Sequence, residues 1–447
     1  MADWDLEVQI FEELCGLPLL DAHSHLVGGK LAARGLHDIL LYHMAVSELY
    51  AAGCPSGQRL TQYPGWPDRE EAHRRLAEAV PFLPLVRNTS VTWGVRQILK
   101  DLYGWQEPVH AGNWRQLDDL VRERADDRAW PRAVMRRTGI LRAGTEYARR
   151  EGGADGDALF YALEWAFFTR CQWGEYDTAL YELERCWGRE PESPTPIGPA
   201  GRPPAERTIR TVEDVHEALA HYVDRIPVRE IVATATHISM DIDLSPVTEG
   251  QMRDALARRS EAGPRDRDIY ASYIHEAYLN ELERRAWPLV FQFSFGAEPL
   301  PHETASRLST RAVAQLAETV SRHPGIRFQC FLASRHANQA LCTLCRELPN
   351  LSLIGYWWHN CNPSAMRQVM EERLDLLPLN RHVGFISDAY CVEWAYAKAQ
   401  IVRRVLATVL ARKVLEGQHT RAEAIDIAAA SFYTEPVRLL GLDTATH

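Results

Sequence analysis

The feature of this sequence that most constrains its fold is a repeated alternation between short apolar runs and longer segments with helical spacing. The longer segments place apolar residues three and four positions apart, and from Leu289 onward the alternation is regular. Strand followed by helix, repeated, is typical of a parallel sheet covered by helices. The predicted strands are the apolar runs Leu17–Asp21, Ile140–Thr145, Glu230–Ala235, Leu289–Phe295, Arg327–Leu332, Leu351–Tyr356 and Val383–Ile386. The predicted helices include Glu303–Arg322, Asn338–Leu348, Ser364–Leu377 and Glu393–Glu416.

An eight-stranded barrel accounts for this alternation better than an open, doubly wound sheet. No G-x-G-x-x-G motif follows the first strand, and no G-x-x-x-x-G-K-S/T motif occurs in the 447 residues. We therefore predict an α/β protein with a distorted (β/α)8 TIM barrel, forming a single domain over residues 1–447. Two segments interrupt the alternation. Residues 31–128 are helical in pattern and predict an inserted helical subdomain, and residues 188–207 are rich in proline and predict an exposed loop.

Charge and cysteine content narrow the choice of partners and compartment. The chain has 60 acidic and 50 basic residues, and its formal charge of −10 argues against a nucleic-acid partner, which needs a basic face. No apolar run approaches the roughly 18 residues needed to cross a membrane. The nine scattered cysteines do not form a disulfide pattern, and no signal-peptide pattern is visible. We expect a cytoplasmic protein that acts on a small molecule, and a homo-oligomer is compatible with the sequence.

The strongest local motif is the pair of histidines that follows the first predicted strand. His23 and His25 are separated by one residue, so they point to the same side of an extended chain. At the carboxyl end of a barrel strand, that side faces the mouth of the active site. Two neutral imidazoles there can share a divalent cation such as zinc. The alternative is a pair of histidines that only form hydrogen bonds at the end of a strand.

A second candidate lies just after the last predicted strand. Asp388 follows Phe385-Ile386-Ser387, where a barrel strand delivers a residue to the same mouth. The alternative for Asp388 is an N-cap of the helix that begins near Val392. Together with His23 and His25, this aspartate would supply three protein ligands and leave a coordination position open, as in catalytic metal sites. The sequence therefore predicts one divalent metal ion, with zinc as the expected element.

This combination of motifs resembles the amidohydrolase superfamily of (β/α)8 metalloenzymes and, within it, the uronate isomerases. The similar motifs, in chain order, are Pro18 to Leu26, His43 ahead of Gly53, Gly355-Tyr356-Trp357-Trp358, and Gly384 to Asp388. The resemblance implies one divalent metal, usually zinc, held by His23, His25 and Asp388, and interconversion of a uronate aldose and ketose. Binuclear members of the superfamily commonly use a modified lysine on a middle strand, and this chain has no lysine between residues 101 and 397. The absence of lysine from this stretch favours a site with a single metal ion.

The chain departs from the uronate isomerases at three places. Tyr390 stands where those enzymes have an arginine two residues after the strand-eight aspartate, and Ser294 stands where they have a histidine on a middle strand. Their Asp-His-Tyr run appears as Tyr42-His43-Met44. A substrate carboxylate needs a charged donor, ideally a bidentate arginine. The sequence suggests three arginines as replacements, namely Arg142, Arg335 and Arg381.

Other residues complete the set of candidates. Asp388, His43 and His237 are candidate acid–base groups, because aspartate and histidine can hold or release a proton near neutral pH. The candidate substrate-binding residues are Arg335, Trp357, Trp358, Arg142 and Tyr390. Three functions follow: an isomerase that moves a proton between carbons of a sugar acid, a mononuclear-metal hydrolase or lyase acting on another substrate, and a metal-binding relative without activity.

Overall fold

The computed structural model describes residues 2–54, 68–150, 157–164, 178–189, 205–238, 243–295 and 310–442. Its centre is a parallel sheet of eight strands that pair in chain order, with helices around it. The predicted distorted (β/α)8 barrel is therefore confirmed. The strands are Leu19–Asp21 (β1), Ile140–Glu146 (β2), Leu159–Glu164 (β3), Ile231–Ile238 (β4), Val290–Phe295 (β5), Arg327–Leu332 (β6), Leu351–Ile354 (β7) and His382–Val383 (β8).

The helices of the described residues lie before β1, in all but one of the connections between the strands, and after β8. They are Ala2–Gly16 (α1), Leu36–Leu40 (α2), His43–Ala51 (α3), Arg69–Ala79 (α4), Ser90–Tyr103 (α5), Trp114–Ala125 (α6), Trp130–Thr138 (α7), Thr178–Cys186 (α8), Val212–Asp224 (α9), Glu249–Ala257 (α10), Pro264–Arg285 (α11), Thr310–Arg322 (α12), Asn338–Glu347 (α13), Pro363–Leu376 (α14), Val392–Leu415 (α15), Arg421–Ala429 (α16) and Glu435–Leu439 (α17). Within the described residues, no helix has both the length and the apolar character required to cross a lipid bilayer.

Most strand ends differ from the sequence prediction by one to three residues, and two strands need a separate account. Strand β3 was not predicted, because its apolar run Leu159–Leu163 does not alternate and cannot be distinguished from part of a buried helix. Strand β8 is shorter than predicted and ends at Val383. The amide of Gly384 donates to the carbonyl of Ser431 at 2.8 Å, so the backbone leaves the ladder at this glycine. The predicted helix 303–322 is described only from Thr310 onward, and most of the proline-rich segment 188–207 lies outside the described residues.

The segment between β1 and β2, which the sequence predicts as a helical insertion, carries helices α2 to α7. Its helices α5 and α7 pack on α15, which also contacts α1 and α14. A buried carboxylate connects these parts. Glu393, at the start of α15, accepts hydrogen bonds from the Ala33 amide, the Tyr103 hydroxyl and the Trp130 indole. The insertion is therefore attached to the barrel by polar contacts as well as by apolar packing.

The backbone brings the two edges of the sheet together just beyond β1 and β8. The Asp388 amide donates to the carbonyl of His23 at 3.0 Å, and the His25 amide donates to the carbonyl of Ala389 at 2.8 Å. These contacts place the residues that follow the first strand beside those that follow the last. In a barrel of parallel strands, this carboxyl-terminal face is where side chains from different strands meet.

Candidate metal centre

His23, His25 and Asp388 form a compact cluster at the carboxyl end of the barrel. Nε2 of His25 lies 3.2 Å from Oδ1 of Asp388, and Nε2 of His23 lies 3.6 Å from the same oxygen. One ligand atom from each of the three residues falls within 4.8 Å of the other two. Ligands bound tetrahedrally to zinc at roughly 2.0–2.1 Å are separated by roughly 3.4 Å, so these spacings fit a single ion. The structure therefore brings together the three residues that the sequence suggested as ligands.

The backbone at Asp388 is held in an unusual conformation. Its φ angle is 52°, in the left-handed region that residues other than glycine rarely adopt. The hydroxyl of Tyr42 donates to the Asp388 carbonyl at 2.9 Å, and the Asp388 amide is held by His23. These contacts stabilise a conformation that turns the carboxylate toward the two histidines.

The carboxylate of Asp388 faces a different group with each oxygen. Oδ1 is shared by His23 and His25 and also accepts a hydrogen bond from the indole of Trp357 at 3.3 Å. Oδ2 is buried and lies 3.5 Å from Nε2 of His43. Burial alone would raise the pKa of Asp388, but the hydrogen bonds from His23 and His25 outweigh it and hold that pKa well below its usual range. The carboxylate is therefore ionised and available as a ligand.

His43 lies on α3, directly beside this cluster. Burial lowers the pKa of His43 to about 3, even though the nearby Asp388 charge acts in the opposite direction. The imidazole is therefore neutral at neutral pH. The neutral ring is in the form that accepts a proton, and its lowered pKa makes it a weak base in the metal-free protein.

Glu146, at the end of β2, holds the second nitrogen of His25 and was not identified from the sequence. Nδ1 of His25 lies 2.6 Å from Oε1 of Glu146, and Oε2 of Glu146 lies 3.0 Å from Nε of Arg149. A carboxylate on the far nitrogen of a ligand histidine fixes the ring orientation and directs the other nitrogen toward the metal. The sequence shows that Glu146 follows directly after a predicted strand, but it does not show that Glu146 pairs with His25.

These contacts control the protonation of His25. Burial would lower the pKa of His25, but the hydrogen bonds to Asp388 and Glu146 and their charges raise it to about 9. The metal-free protein therefore carries a protonated His25 at neutral pH. A metal ligand must be the neutral imidazole, so metal uptake has to release this proton.

We expect the affinity for zinc to rise by up to about tenfold per pH unit between about pH 6 and pH 8 and to level off above the His25 pKa. The direction follows because protons compete with the metal below that pKa. Competition with a chelator of known pH dependence measures the affinity, and calorimetry in buffers of different ionisation enthalpy counts the released protons. An affinity that is independent of pH after correction for the chelator would contradict the protonation of His25.

Aromatic residues form one wall of the cluster. The ring of Tyr390 stacks on His25, with the ring centres 4.7 Å apart and an angle of 20° between their planes. It also lies edge-on to His43 at 5.6 Å. Trp358 is half-buried, with its ring centre 5.5 Å from that of His43. The suggested pocket residues Trp357, Trp358 and Tyr390 therefore all lie beside the histidine and aspartate side chains.

The arginines suggested from the sequence as carboxylate-binding residues lie at different depths of the barrel. Arg142 is four residues before the end of β2, so it lies roughly 13 Å deeper along the strand, and its guanidinium lies 5.6 Å from the centre of the Phe160 ring. Arg381 precedes β8, at the opposite end of the barrel. Arg335 is exposed in a short turn after β6. A further arginine, Arg149 in the turn Tyr147–Arg149 after β2, contacts Glu146 beside the cluster.

A cavity extends from His23 across the next strands. Glu146 of β2, Glu164 of β3 and Ser294 of β5 line it. Burial and the neighbouring Glu146 charge raise the pKa of Glu164 to about 8, so this carboxyl is mostly protonated at neutral pH. Glu164 was missed because β3 was missed. The backbone of His237 pairs with Ser294 in the β4–β5 register, and the side chain of His237 lies outside the described residues.

The fold and this site define a class of protein: a distorted (β/α)8 barrel with two histidines and one aspartate at its carboxyl-terminal face. Solved structures agree with this fold. The chain is similar to glucuronate isomerase from Caulobacter crescentus, with 17% sequence identity, a TM-score of 0.76 and coverage of 99% of this chain and 95% of that chain. It is also similar to uronate isomerase from Thermotoga maritima, with 14% identity, a TM-score of 0.73 and coverage of 98% and 97%.

A further similar structure carries a different proposed assignment. A protein from Lactobacillus casei, proposed to be a metal-dependent hydrolase, shares 13% identity with a TM-score of 0.56, covering 98% of each chain. No protein-family model and no curated protein matches the chain. At these identities the structural similarity establishes the fold that this chain shares with the uronate isomerases, and the chemistry has to be argued from the site.

Proposed function

We propose that this protein is a divalent-metal-dependent enzyme that interconverts the aldose and ketose forms of a sugar acid. The observation that carries the proposal is the arrangement around Asp388, whose Oδ1 faces two histidines while Oδ2 faces His43 at 3.5 Å. This arrangement combines a ligand set with a neighbouring acid–base pair. The similarity of the whole fold to two sugar-acid isomerases supports the same reaction class.

Three residues would hold the metal. His23, His25 and Asp388 supply two imidazoles and one carboxylate, a donor set that suits zinc and leaves room for substrate oxygen. When bound, the metal would polarise the substrate carbonyl and the adjacent hydroxyl. Zinc is the expected ion.

The chain's own groups would move the protons. Aldose–ketose interconversion transfers one proton between adjacent carbons and one between the two oxygens they carry. Asp388 is ionised and His43 is neutral, so each is in the form that accepts a proton. The Trp357 indole holds Oδ1 of Asp388, and Oδ2 remains directed toward His43. His237 stays a further candidate for a proton-carrying group.

The test is direct incubation with sugar acids. We expect the zinc-loaded protein to convert glucuronate or galacturonate to the corresponding ketose, observed by NMR. Chelator-treated protein serves as the control and should regain activity when zinc is restored. Absence of turnover of both uronates by protein with one metal per chain would contradict the proposal.

Hydrolysis is a second candidate, and one observation favours it. An uncharged ring, Tyr390, stacks on His25, and an uncharged side chain, Ser294, lines the neighbouring cavity. Such surroundings suit a less charged substrate, and Asp388 would then accept the proton of an attacking water. Turnover of amides or imines, with no turnover of uronates, would support this alternative. A metal-loaded protein inactive on both classes would be a metal-binding relative without activity.

A further inference from the structure

We propose that Lys398, together with the N-terminal ends of α3, α5 and α14, binds a small monovalent anion, with chloride as the ligand. The site is a cavity separate from the one that extends from His23, and the inference does not depend on the reaction proposed above. An anion bound there neutralises a buried ammonium group and holds three helix ends together.

Lys398 is a buried cation on α15, with 6% of its surface exposed. Its Nζ donates to Sγ of Cys361 at 3.4 Å and lies 3.9 Å from Sδ of Met44. Among the residues that the structure describes, no carboxylate forms an ion pair with this ammonium. An ammonium group has three N–H donors, and sulfur is a weak acceptor. The two sulfur contacts therefore leave the ammonium short of a strong acceptor and of a countercharge.

The contact with Cys361 does not supply that countercharge. Sγ of Cys361 donates to the carbonyl of Tyr356 at 2.8 Å, so the sulfur keeps its proton. Burial raises the pKa of Cys361, although the charge of Lys398 acts in the opposite direction. The group beside Lys398 is therefore a neutral thiol. Because a buried charge without a counterion is strongly unfavourable, an anion from solution gains a favourable site here.

The carboxylates of this region contact other groups. Glu393 is the acidic residue of α15, and it accepts hydrogen bonds from the Ala33 amide, the Tyr103 hydroxyl and the Trp130 indole. Asp388 directs its two oxygens toward histidines of the metal centre. Neither carboxylate contacts Nζ of Lys398 in the described part of the chain, so the positive charge of the lysine remains without a direct partner.

A cavity next to Lys398 can hold the anion. Its volume is about 20 Å³, enough for one water-sized molecule or ion. Met44, Ser90, Val91 and Asn362 line this cavity together with Lys398. The small volume favours a monatomic anion over phosphate or sulfate.

Three helices begin at this cavity. Met44 is the second residue of α3, Ser90 and Val91 are the first two residues of α5, and Asn362 precedes the first residue of α14. The N-terminus of a helix presents unsatisfied backbone N–H groups and a partial positive charge, both of which favour an anion. At α3 and α14, the side chain that precedes the helix makes no capping hydrogen bond. Three helix ends and one ammonium group therefore favour negative charge in the same cavity.

Thermal unfolding of the zinc-loaded protein in chloride and in methanesulfonate, at the same ionic strength, tests the proposal. We expect chloride to raise the melting temperature of the wild-type protein by about 2–4 °C, along a curve that saturates. Lys398→Met keeps the length of the side chain and removes its charge, so this rise should disappear. Lys413→Met is the matched control, because Lys413 is a buried lysine that already pairs with Asp375. It should keep the wild-type response to chloride.

A second measurement uses only the wild-type protein, so it does not depend on how the variants fold. Crystals grown with bromide should show an anomalous scattering peak at hydrogen-bond distance from Nζ of Lys398. Bromide found only at the zinc ion or on the surface would overturn the proposal. An equal melting temperature in chloride and methanesulfonate, or a rise that persists in Lys398→Met, would overturn it as well. None of these outcomes depends on turnover of a sugar acid.

Discussion

Replacing His23 with alanine should lower the affinity for zinc by at least about a thousandfold and abolish turnover. His23 supplies one of three ligand atoms, and its Nε2 is 3.6 Å from Oδ1 of Asp388, the spacing expected of two ligands on one ion. In His23→Ala only His25 and Asp388 remain as protein ligands, so the bound metal should dissociate readily. Metal analysis after dialysis against a chelator measures the loss.

The matched control for this variant is His336→Ala. His336 is exposed in the turn after β6, so its removal should leave zinc content and activity unchanged. Circular dichroism should show the same fold for both variants, because His23 is at the mouth of the barrel. Full activity or a full zinc complement in His23→Ala would remove the assignment of the metal centre.

Replacing Glu393 with alanine should reduce the free energy of unfolding by about 3–5 kcal/mol. Glu393 is completely buried and accepts hydrogen bonds at 2.9–3.0 Å from the Ala33 amide, the Tyr103 hydroxyl and the Trp130 indole. Without the carboxylate, these donors lose their shared acceptor in a site closed to water. Denaturant unfolding followed by circular dichroism measures the loss.

Glu393→Gln is the control, since glutamine keeps the shape and one acceptor oxygen. Its loss should be smaller than that of the alanine variant. A change of less than about 1 kcal/mol in Glu393→Ala would show that apolar packing alone attaches the segment between β1 and β2 to α15.

Much of the fold could be predicted because its signals are local. Apolar spacing along a single segment placed α13, α14 and α15 within a residue or two of their observed ends. Strand β3 was not predicted, since the apolar run Leu159–Leu163 has no period that separates a strand from a helix. Strand β8 was predicted too long because its end depends on a hydrogen bond from Gly384 to Ser431, 47 residues later.

The candidate site also has a part that could be predicted from the sequence and a part that could not. His23 and His25 are two residues apart on an extended chain, and Asp388 follows the last strand, so strand geometry alone predicts that they meet at one mouth. The search for a carboxylate-binding arginine, in contrast, pointed to Arg142, Arg335 and Arg381. The arginine contact described beside the cluster comes from Arg149, whose Nε lies 3.0 Å from Oε2 of Glu146 and which the sequence analysis did not name.

The sequence by itself therefore determined the barrel and its three candidate ligands, because both follow from the period of side chains along single strands and helices. Only the tertiary structure decided what surrounds those ligands. The contact of Glu146 with His25 joins residues 121 positions apart and depends on how β1 and β2 are aligned. The placement of Arg149 depends on the turn that follows β2 and on Tyr390 from the far end of the chain. Such contacts are set by strand register and loop conformation, and neither leaves a periodic signal in the sequence.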